Sequence, residues 1–528
     1  MARLATVREA VFDLLRAFGI NTIFGNPGST ELPLFRSFPR DFSYELGLQE
    51  SIVVGMADGF AQATRNAACV NLHSAAGLGH ALGNIFTAYK NQTPLVIVAG
   101  QQARSMLPYE PFLYAREATE FPKPYVKWAC EPARAEDVPT AIARAYYTAM
   151  QAPCGPTFVS VPVDDWDRTC ERVVPREVSR AIRGDQALLL RAAEILSRAR
   201  NPAIVVGATV ARDNAWDEAI ALAERHAAAV WVSPMSGRNS FPEQHRLFAG
   251  FLAADRAKIV AALQPYDVVV VLGAPVFVYH VEGAGPFVPS DVQLIQLVDD
   301  ASLAAGAPVG LSIVTSLKQG IRDLLAGPDP IPREAPTPAA RPATLPSTQL
   351  TDAYLLQQIA KLRPAGSIVV EEAPSSRGPM HDYLPIIDRD TFYTCASGGL
   401  GHGLPAAVGV AMGRPGEKVI AILGDGSSMY SIQGLWSAAQ RDLPIAFVII
   451  KNGGYHALNE FGTHFGMTQL PGVRLPGLDF CGLARSQGVP AQSVTRSDEL
   501  DAALTAAFAS RSPMLVEVSV EGAWRKAS

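Results

Sequence analysis

The amino-acid sequence predicts an α/β protein made of three successive doubly wound domains, each with a mainly parallel sheet. Short apolar runs alternate with segments of helical periodicity along the chain, which is typical of parallel sheets covered by helices. The 528 residues are too many for one hydrophobic core. Residues 328–347 include seven prolines and predict an extended linker. We therefore expect an N-terminal domain over 1–180, a central domain over 181–327 and a C-terminal domain over 348–528.

The predicted elements follow from the spacing of apolar residues. In the first domain this spacing predicts helices over 7–18, 50–63 and 77–89, strands over 21–24, 68–73 and 94–99, and a tight glycine-containing loop over 25–29. Buried strands of the central domain are predicted over 202–206, 228–232, 267–273 and 292–297. Those of the last domain are predicted over 367–370, 419–423, 445–450 and 513–518, with a helix over 429–441.

Composition narrows the classes of function. The chain is 48% hydrophobic and 18% charged, which indicates a folded globular protein. A net charge of −5 without runs of Lys or Arg argues against nucleic-acid binding. The six cysteines are scattered, which favours reduced thiols in a cytoplasmic protein. The N-terminal residues lack the apolar core of a signal peptide, and we expect no membrane association.

Two loops that follow strands predict a cation and phosphate site. Gly424-Asp-Gly-Ser427 follows one strand, and Asn452-Gly-Gly454 follows the next. Because the carboxyl ends of parallel strands meet at one edge of a sheet, we expect three oxygen ligands there, from the Asp425 and Asn452 side chains and the Gly454 carbonyl. Such ligands suit Mg²⁺. Tyr455 closes the loop, and Ser427, Ser375 and Ser376 are candidate phosphate donors, although serines after strands are more often helix caps.

Glu50 ends a short apolar stretch and opens an apolar helix. One interpretation is a glutamate stabilised by the dipole of the helix it begins. The other is a buried carboxylate that exchanges a proton with a ring nitrogen of a cofactor.

With these residues the whole chain resembles the thiamine-diphosphate-dependent 2-oxo-acid decarboxylases, and among them the benzoylformate decarboxylases. The Gly-Asp-Gly and Asn motif resembles the family's diphosphate and Mg²⁺ motif, and Glu50 falls where the family keeps its activating glutamate. Four further stretches carry the resemblance: 25–31, 71–77, 273–280 and 397–401. By resemblance they supply the catalytic residues Ser29, His73 and His280 and the cofactor-binding residues Gly398 and Leu400, in addition to Gly424, Gly426 and Ser427.

The resemblance implies a carboxy-lyase that converts an aromatic 2-oxo acid, similar to benzoylformate, to the aldehyde and CO₂ through a carbanion and enamine of thiamine diphosphate. It implies Mg²⁺, with Ca²⁺ as a substitute, and a homo-oligomer, a dimer of dimers whose active sites lie at subunit interfaces. A role in aromatic catabolism such as the mandelate pathway follows. Apolar walls for the aryl group are expected from Phe112, Leu113, Leu458 and Phe461.

Some residues depart from the benzoylformate decarboxylase pattern and leave alternatives open. The departures are Pro374, Arg377, Thr394, His402 and Lys451. They leave room for a decarboxylase of phenylpyruvate or a branched-chain 2-oxo acid, or for a carboligase similar to acetolactate synthase. A catalytically silent binding protein is disfavoured because the motif residues are all present. A nicotinamide dehydrogenase is disfavoured because the Gly399-Leu-Gly401 segment lacks the third glycine of the dinucleotide motif.

Overall fold

The computed structural model describes residues 4–338 and 340–521 and divides into two compact units. Unit 1 comprises the chain up to Val178, the segment Leu345–Pro379 and the chain from Ser397 onward. Unit 2 comprises Ser179–Thr344 and Met380–Ala396. Ala339, in the predicted linker, lies outside the described residues. The domain boundaries read from the sequence stay a prediction.

Twenty strands are numbered in chain order over the described residues. The first eight are β1 (Leu4–Thr6), β2 (Thr22–Gly25), β3 (Ser43–Leu46), β4 (Ala68–Leu72), β5 (Leu95–Gln101), β6 (Ala129–Cys130), β7 (Pro156–Pro162) and β8 (Thr169–Glu171). The next six are β9 (Pro202–Val206), β10 (Ala229–Val232), β11 (Phe248–Phe251), β12 (Val268–Leu272), β13 (Gln293–Val298) and β14 (Leu311–Val314). The last six are β15 (Ile368–Glu372), β16 (Phe392–Thr394), β17 (Val419–Gly424), β18 (Ile445–Lys451), β19 (Ala491–Val494) and β20 (Met514–Ser519).

The helices follow the same order. The first ten are α1 (Val7–Ala17), α2 (Glu50–Thr64), α3 (Ser74–Asn91), α4 (Val138–Met150), α5 (Gln186–Arg198), α6 (Ala208–Arg212), α7 (Trp216–His226), α8 (Arg256–Leu263), α9 (Ala301–Ala305) and α10 (Leu317–Leu325). The remainder are α11 (Asp352–Leu362), α12 (Arg377–Tyr383), α13 (Gly403–Gly413), α14 (Asp425–Met429), α15 (Gly434–Gln440), α16 (His456–His464), α17 (Phe480–Ser486) and α18 (Ser497–Ala509).

Three parallel sheets confirm the predicted fold class. In unit 1 the first sheet has the strand order β3-β2-β4-β5-β7-β6, with every pair parallel. The sheet that follows the linker has, within unit 1, the parallel order β15-β17-β18-β20-β19. Unit 2 contains the parallel order β11-β10-β9-β12-β13-β14. Their central strands are buried apolar runs because helices cover both faces of such sheets.

Local sequence explains how the first helix begins. The Thr6 hydroxyl accepts the Glu9 N–H at 3.3 Å, and the Glu9 carboxylate accepts the Thr6 N–H at 2.9 Å. This reciprocal pair satisfies two backbone donors at the start of α1. Val7, Val11 and Leu14, spaced by four and three residues, are buried against the first sheet, as the helical period predicts.

The predicted helix over 429–441 is confirmed only in part, because α15 lies within it but residues 430–433 form a turn. The chain instead forms α14, a turn, and α15. The Ser431 N–H donates to the Ser428 carbonyl at 3.2 Å and the Gly434 N–H to the Ser431 carbonyl at 2.9 Å. These bonds span three residues instead of four, so the α-helical pattern is interrupted between α14 and α15.

Helices α2 and α13 of unit 1 pack at unusually close range because glycines face the partner backbone. A Cβ atom at Gly59 would collide with the Ala406 carbonyl oxygen, and one at Gly409 would collide with the Met56 carbonyl oxygen. Glycine is therefore required at both positions. The contact fixes the helix that begins at Glu50 against the helix that follows the loop carrying Leu400.

The cysteines carry free thiols, as the sequence predicts. Within residues 4–338 and 340–521, no helix has the length and apolar character needed to cross a membrane.

Candidate active site

Asp425 and Asn452 lie at the same edge of a sheet because they directly follow neighbouring parallel strands. β17 ends at Gly424 and β18 at Lys451, and the two strands pair in parallel. The Gly453 N–H donates to Asp425 Oδ2 at 2.7 Å, which ties the two loops together. The structure thus brings together two predicted side chains from separate strand ends.

The Asp425 carboxyl group is buried, with 2% of the residue exposed. Burial raises the pKa of Asp425, and the surrounding backbone N–H groups lower it by less, so the net shift is upward. Those N–H groups belong to Gly453, Gly426, Asn452 and Gly454. A buried carboxyl group whose hydrogen bonds come from backbone N–H groups gains from a cation brought beside it.

The donor set around Asp425 fits a divalent cation. No Lys, Arg or His among residues 4–338 and 340–521 forms an ion pair with this carboxylate. The Asn452 side-chain oxygen accepts the Gly454 N–H at 3.1 Å, and the Gly454 carbonyl accepts the His456 N–H at 3.0 Å. Each oxygen has a second lone pair. One carboxylate, one amide and one carbonyl oxygen suit Mg²⁺ or Ca²⁺.

Tyr455 covers the start of α14, since a Cβ atom at Gly426 would collide with its ring. The Ser427 hydroxyl donates to the Glu372 carbonyl at 2.7 Å, so its hydrogen is already engaged within the fold. The Ser375 hydroxyl accepts a backbone N–H of α16 at 3.1 Å. These contacts place Tyr455, Ser427 and Ser375 around the ends of β17 and β18, a group that we call the strand-end cradle, and they give both serines structural partners.

The loop that carries Leu400 turns through left-handed backbone at Gly398 and Gly401, where φ is +72° and +94°. Asn84 Nδ2 donates to the Gly401 carbonyl at 3.3 Å. The Ser397 hydroxyl accepts the Gly399 N–H at 3.0 Å. Leu400 is half-buried in this loop.

Glu50 is the first residue of α2, and its side chain is 13% exposed. The Gln49 side chain caps the helix by accepting the Ser51 N–H at 2.6 Å, so Glu50 is not needed as the cap. The Glu50 carboxylate instead faces α3, where His80 Nδ1 lies 3.1 Å from Oε2. Sequence reasoning missed His80.

His73 is oriented by a carboxylate that sequence reasoning also missed. His73 Nδ1 lies 2.8 Å from Glu31 Oε2, and the Thr30 hydroxyl donates to Glu31 Oε1 at 2.6 Å. An ionised carboxylate only accepts hydrogen bonds, so Nδ1 carries the proton and Nε2 of the neutral ring is the acceptor. His73 directly follows β4 and precedes α3, which places its half-buried ring at the strand end.

Glu31 is itself 2% exposed and lies two residues after the predicted Ser29. Its Oε2, which contacts His73, also accepts the Gly28 N–H at 2.8 Å. A glutamate three residues after a glycine turn is typical of a helix start, and this was the available signal. Ser29 is exposed and opens the short helix Ser29–Phe35.

His280 lies in unit 2, in a segment after β12 that has neither helix nor strand. Its backbone N–H donates to the Ala254 carbonyl at 2.9 Å, and the residue is exposed. Ser29, Glu50 and His73 all lie in unit 1. The predicted pairing of His280 with His73 in one active site stays a prediction.

The predicted substrate residues lie on two segments of unit 1. Phe112 is 86% exposed and Leu113 is half-buried, in an irregular stretch after β5. Leu458 and Phe461 are three residues apart on α16, and the Phe461 ring lies 5.5 Å from that of Phe465. Their combination into one aryl pocket stays a prediction.

The residues that depart from the benzoylformate decarboxylase pattern have different surroundings in the structure. Lys451 Nζ lies 3.0 Å from Glu517 Oε1, which anchors it beside β20. Arg377 Nε lies 3.4 Å from Glu371 Oε2. Pro374 begins a short 3₁₀ helix in unit 1, and Thr394 is buried at the end of β16 in unit 2.

His402 has the most unusual surroundings of these residues, because it is buried between two carboxyl groups. Its Nε2 contacts Asp58 Oδ2 of α2, and its backbone N–H donates to Glu372 Oε1 at 3.1 Å. Burial lowers the pKa of His402, but the charge of Asp58 and then that of Glu372 outweigh it, and the net shift is upward.

Family models match all three sections of the chain. The N-terminal TPP binding domain of thiamine pyrophosphate enzymes matches residues 5–120, the central domain 189–324 and the C-terminal TPP binding domain 375–518. Glu50 and His73 fall in the first match, and Asp425 and Asn452 in the last.

Relatives match along nearly the full length. A benzoylformate decarboxylase of Pseudomonas aeruginosa is 42% identical over 522 residues, covering 98% of this chain and 99% of that protein. The crystal structure of a benzoylformate decarboxylase from Polynucleobacter necessarius has a TM-score of 0.94 and 39% identity, covering 98% and 99%. A thiamine diphosphate-dependent 4-hydroxybenzoylformate decarboxylase of Rhodococcus jostii has a TM-score of 0.95 and 38% identity, with the same coverage.

Proposed function

Because the chain belongs to the thiamine pyrophosphate enzyme family, we propose that it decarboxylates an aromatic 2-oxo acid of the benzoylformate type to the aldehyde and CO₂. The observation that carries this proposal is 42% identity over 98% of the chain to a benzoylformate decarboxylase. The structural neighbours whose names specify aryl 2-oxo acids support the same substrate class.

The residues around Asp425 would hold the cofactor and its metal ion. Asp425, Asn452 and the Gly454 carbonyl would bind Mg²⁺, or Ca²⁺ in its place, because a buried carboxylate, an amide oxygen and a carbonyl oxygen are ligands of the kind that these cations prefer. Backbone N–H groups of the 424–427 segment, at the start of α14, would meet the diphosphate. When bound, thiamine diphosphate supplies the electron sink for breaking the carbon–carbon bond.

The protein's own groups would orient the substrate and move protons. Ser29 is exposed and has a hydroxyl suited to a substrate carboxylate. His73, with Nδ1 fixed by Glu31, presents Nε2 as a proton acceptor, or as a donor once it is protonated. Glu50 would hydrogen-bond the pyrimidine ring nitrogen of the cofactor, and His280 would share the proton transfers with His73.

The oligomeric state, the domain boundaries and the cellular role of the enzyme are also part of the proposal. We expect a homo-oligomer, a dimer of dimers, with the active site at a subunit interface. The exposed apolar side chains Met106, Tyr109 and Phe112 support a partner surface near the substrate segment. We also propose domains over 1–180, 181–327 and 348–528, and a cytoplasmic enzyme of aromatic catabolism such as the mandelate pathway.

The Glu50→Gln variant tests the catalytic assignment. Glutamine cannot exchange a proton as the carboxylate does, so kcat for benzoylformate should fall at least ~100-fold. Thiamine diphosphate affinity should stay within an order of magnitude. Aldehyde release and cofactor titration measure these two quantities, and Glu171→Gln on exposed β8 is the control. Unchanged turnover in the Glu50 variant would overturn the assignment.

A panel of 2-oxo acids tests the substrate class. Benzoylformate and 4-hydroxybenzoylformate should give the highest kcat/KM, above phenylpyruvate, branched-chain 2-oxo acids and pyruvate. A preference for pyruvate would reject the aryl assignment. Acetolactate as the main product from pyruvate would identify a carboligase instead.

A further inference from the structure

We propose that His80 is a positioning residue for Glu50, an inference that rests on the proposed decarboxylase function. His80 Nδ1 lies 3.1 Å from Glu50 Oε2. Because an ionised carboxylate only accepts hydrogen bonds, Nδ1 is the donor. The Glu50 side chain is 13% exposed and that of His80 65% exposed, so the contact joins an enclosed carboxylate to a solvent-facing ring.

Helix α3 contacts the Glu50 carboxylate at two positions on one face. His80 and Gly77 are three residues apart, the spacing at which helical side chains neighbour each other. A Cβ atom at Gly77 would lie 3.1 Å from Glu50 Oε1, so the absence of a side chain there leaves room for this oxygen. One oxygen therefore faces Gly77, while the other accepts from His80.

Two further residues on the same face of α3 fix the helix in place. Asn84 Nδ2 donates to the Ser51 carbonyl at 2.7 Å, and the Thr87 hydroxyl lies 2.9 Å from that of Ser397. They follow His80 by four and seven residues, as the helical period requires. An exposed ion pair between mobile side chains contributes little. Here the backbone that carries His80 is anchored to the residue after Glu50, so the donor has a defined position.

The consequence concerns the orientation of the carboxylate. The terminal torsion of a glutamate side chain is broad and roughly two-fold, so an unrestrained carboxylate rotates freely. A donor held on Oε2 restricts that rotation. Small errors in the placement of a reacting group reduce rates strongly, and an orienting hydrogen bond therefore acts on kcat.

Three variants test this role: His80→Ala, His80→Asn and the control Lys90→Ala on the exposed end of α3. The Asn side chain restores an N–H donor at the place of Nδ1. Each protein is saturated with thiamine diphosphate and MgCl₂. Exchange of the thiazolium C2 proton in D₂O is measured without substrate, together with kcat, KM and cofactor affinity.

We expect His80→Ala to lower both C2 exchange and kcat about 10-fold, with KM and cofactor affinity within about two-fold of wild type. His80→Asn should recover both rates to within about three-fold, and Lys90→Ala should match wild type. Exchange within about two-fold of wild type in His80→Ala would overturn the proposal. Equal losses in the Ala and Asn variants would do the same, because the hydrogen bond would then be irrelevant.

Failure of the proposed function is distinguishable from failure of this inference. C2 exchange needs the cofactor and Glu50 but no 2-oxo acid. A wild-type protein that exchanges the proton yet releases no aldehyde would reject the decarboxylase, and the exchange rates of the variants would still decide the role of His80.

Discussion

The two units each bury one histidine almost completely, and the two rings have opposite electrostatic character. His402 of unit 1 is 1% exposed and His226 of unit 2 is 2% exposed. Burial disfavours the charged imidazole in both cases. For His402 the charge and the hydrogen bond of the Asp58 carboxylate oppose this effect, and the net shift of its pKa is upward. For His226, burial and then the charges of Arg333 and Arg225 act together and lower the pKa to about 4.

Neighbouring charges decide the direction in which the pKa of an enclosed histidine moves, because carboxylates oppose the effect of burial and guanidinium groups add to it. The His402 ring of unit 1 joins α2 to the start of α13, beside the loop that carries Leu400. The neutral ring of unit 2 lies at the end of α7, where the Arg333 guanidinium donates to the His226 carbonyl at 3.1 Å and to the Ser197 carbonyl at 2.9 Å. In unit 1 a carboxylate therefore favours a proton on the buried ring, whereas in unit 2 two guanidinium groups disfavour one.

The largest loss of stability is expected from breaking the contact between His402 and Asp58. Asp58→Asn leaves His402 buried without its counter-ion, and should destabilise unit 1 by about 3–5 kcal/mol. Hydrogen exchange of α13 amides, followed along a urea titration by mass spectrometry, measures the loss.

The Asp58→Asn/His402→Phe double variant is the control for this prediction. It removes both charges and should recover more than half of the lost stability, since an apolar ring fills a similar volume. Full stability in the single Asp58→Asn variant would show that the Asp58 carboxylate does not stabilise the His402 ring.

The second largest effect is a pH dependence of stability that we expect from Glu372, the other carboxyl group beside His402. Burial raises the pKa of Glu372 from 4.5 to about 7. The folded state thus keeps a proton that the unfolded chain loses between pH 4.5 and 7. Stability is fully present at low pH and falls as the pH rises, by about 2.5 kcal/mol between about pH 5 and 8.

The Glu372→Gln variant should lack this part of the pH dependence. Urea unfolding at about pH 5 and about pH 8, read from α13 amides, measures the difference between variant and wild type. If the free energy of unfolding changed equally between these two pH values in the variant and the wild type, the raised pKa of Glu372 would be contradicted.

The strand-end cradle was predictable from sequence, because its residues act through local geometry. Asp425 and Asn452 directly follow apolar strands, and parallel strands bring such ends to one edge of the sheet. The break in the 429–441 segment was missed, although the serines at 427 and 428 were visible. The Ser428 hydroxyl donates to the Gly424 carbonyl at 2.7 Å, and that of Ser427 to the Glu372 carbonyl at 2.7 Å, which holds a short helix against the strand end.

The partners of the functional side chains were not predictable in the same way. His402 was recognised as a departure, but its partner Asp58 is 344 positions away and resembles any polar helix residue. Glu31 meets His73 across 42 positions, and Glu50 meets His80 across 30. These pairs depend on how whole elements pack, and no local spacing reports that packing.

In unit 2 the pH dependence of stability should have the opposite sign to the one that Glu372 gives unit 1. His226 has a folded pKa of about 4 against an ordinary value of 6.5. The unfolded chain binds the proton first, so stability is present above pH 6.5 and is lost as the pH falls toward 4. The loss between about pH 7 and pH 5 should be about 1.5 kcal/mol.

The His226→Phe variant removes this acid sensitivity, and α7 amide exchange along a urea titration at about pH 7 and about pH 5 measures it. The wild-type α7 signal should weaken toward acid, whereas the Glu372 contribution in α13 should strengthen. Parallel pH slopes in both helices would remove the distinction between the two histidines.

The smallest effect is expected where a histidine meets a carboxylate without full burial. In unit 2, His245 Nε2 lies 3.2 Å from Glu224 Oε1, but the Glu224 side chain is 51% exposed. Water already stabilises both groups, so Glu224→Gln should change the free energy of unfolding by less than about 0.5 kcal/mol. Urea unfolding at low and high salt measures this. A loss comparable to that of Asp58→Asn would mean that contact geometry alone, irrespective of burial, determines what a histidine–carboxylate pair contributes.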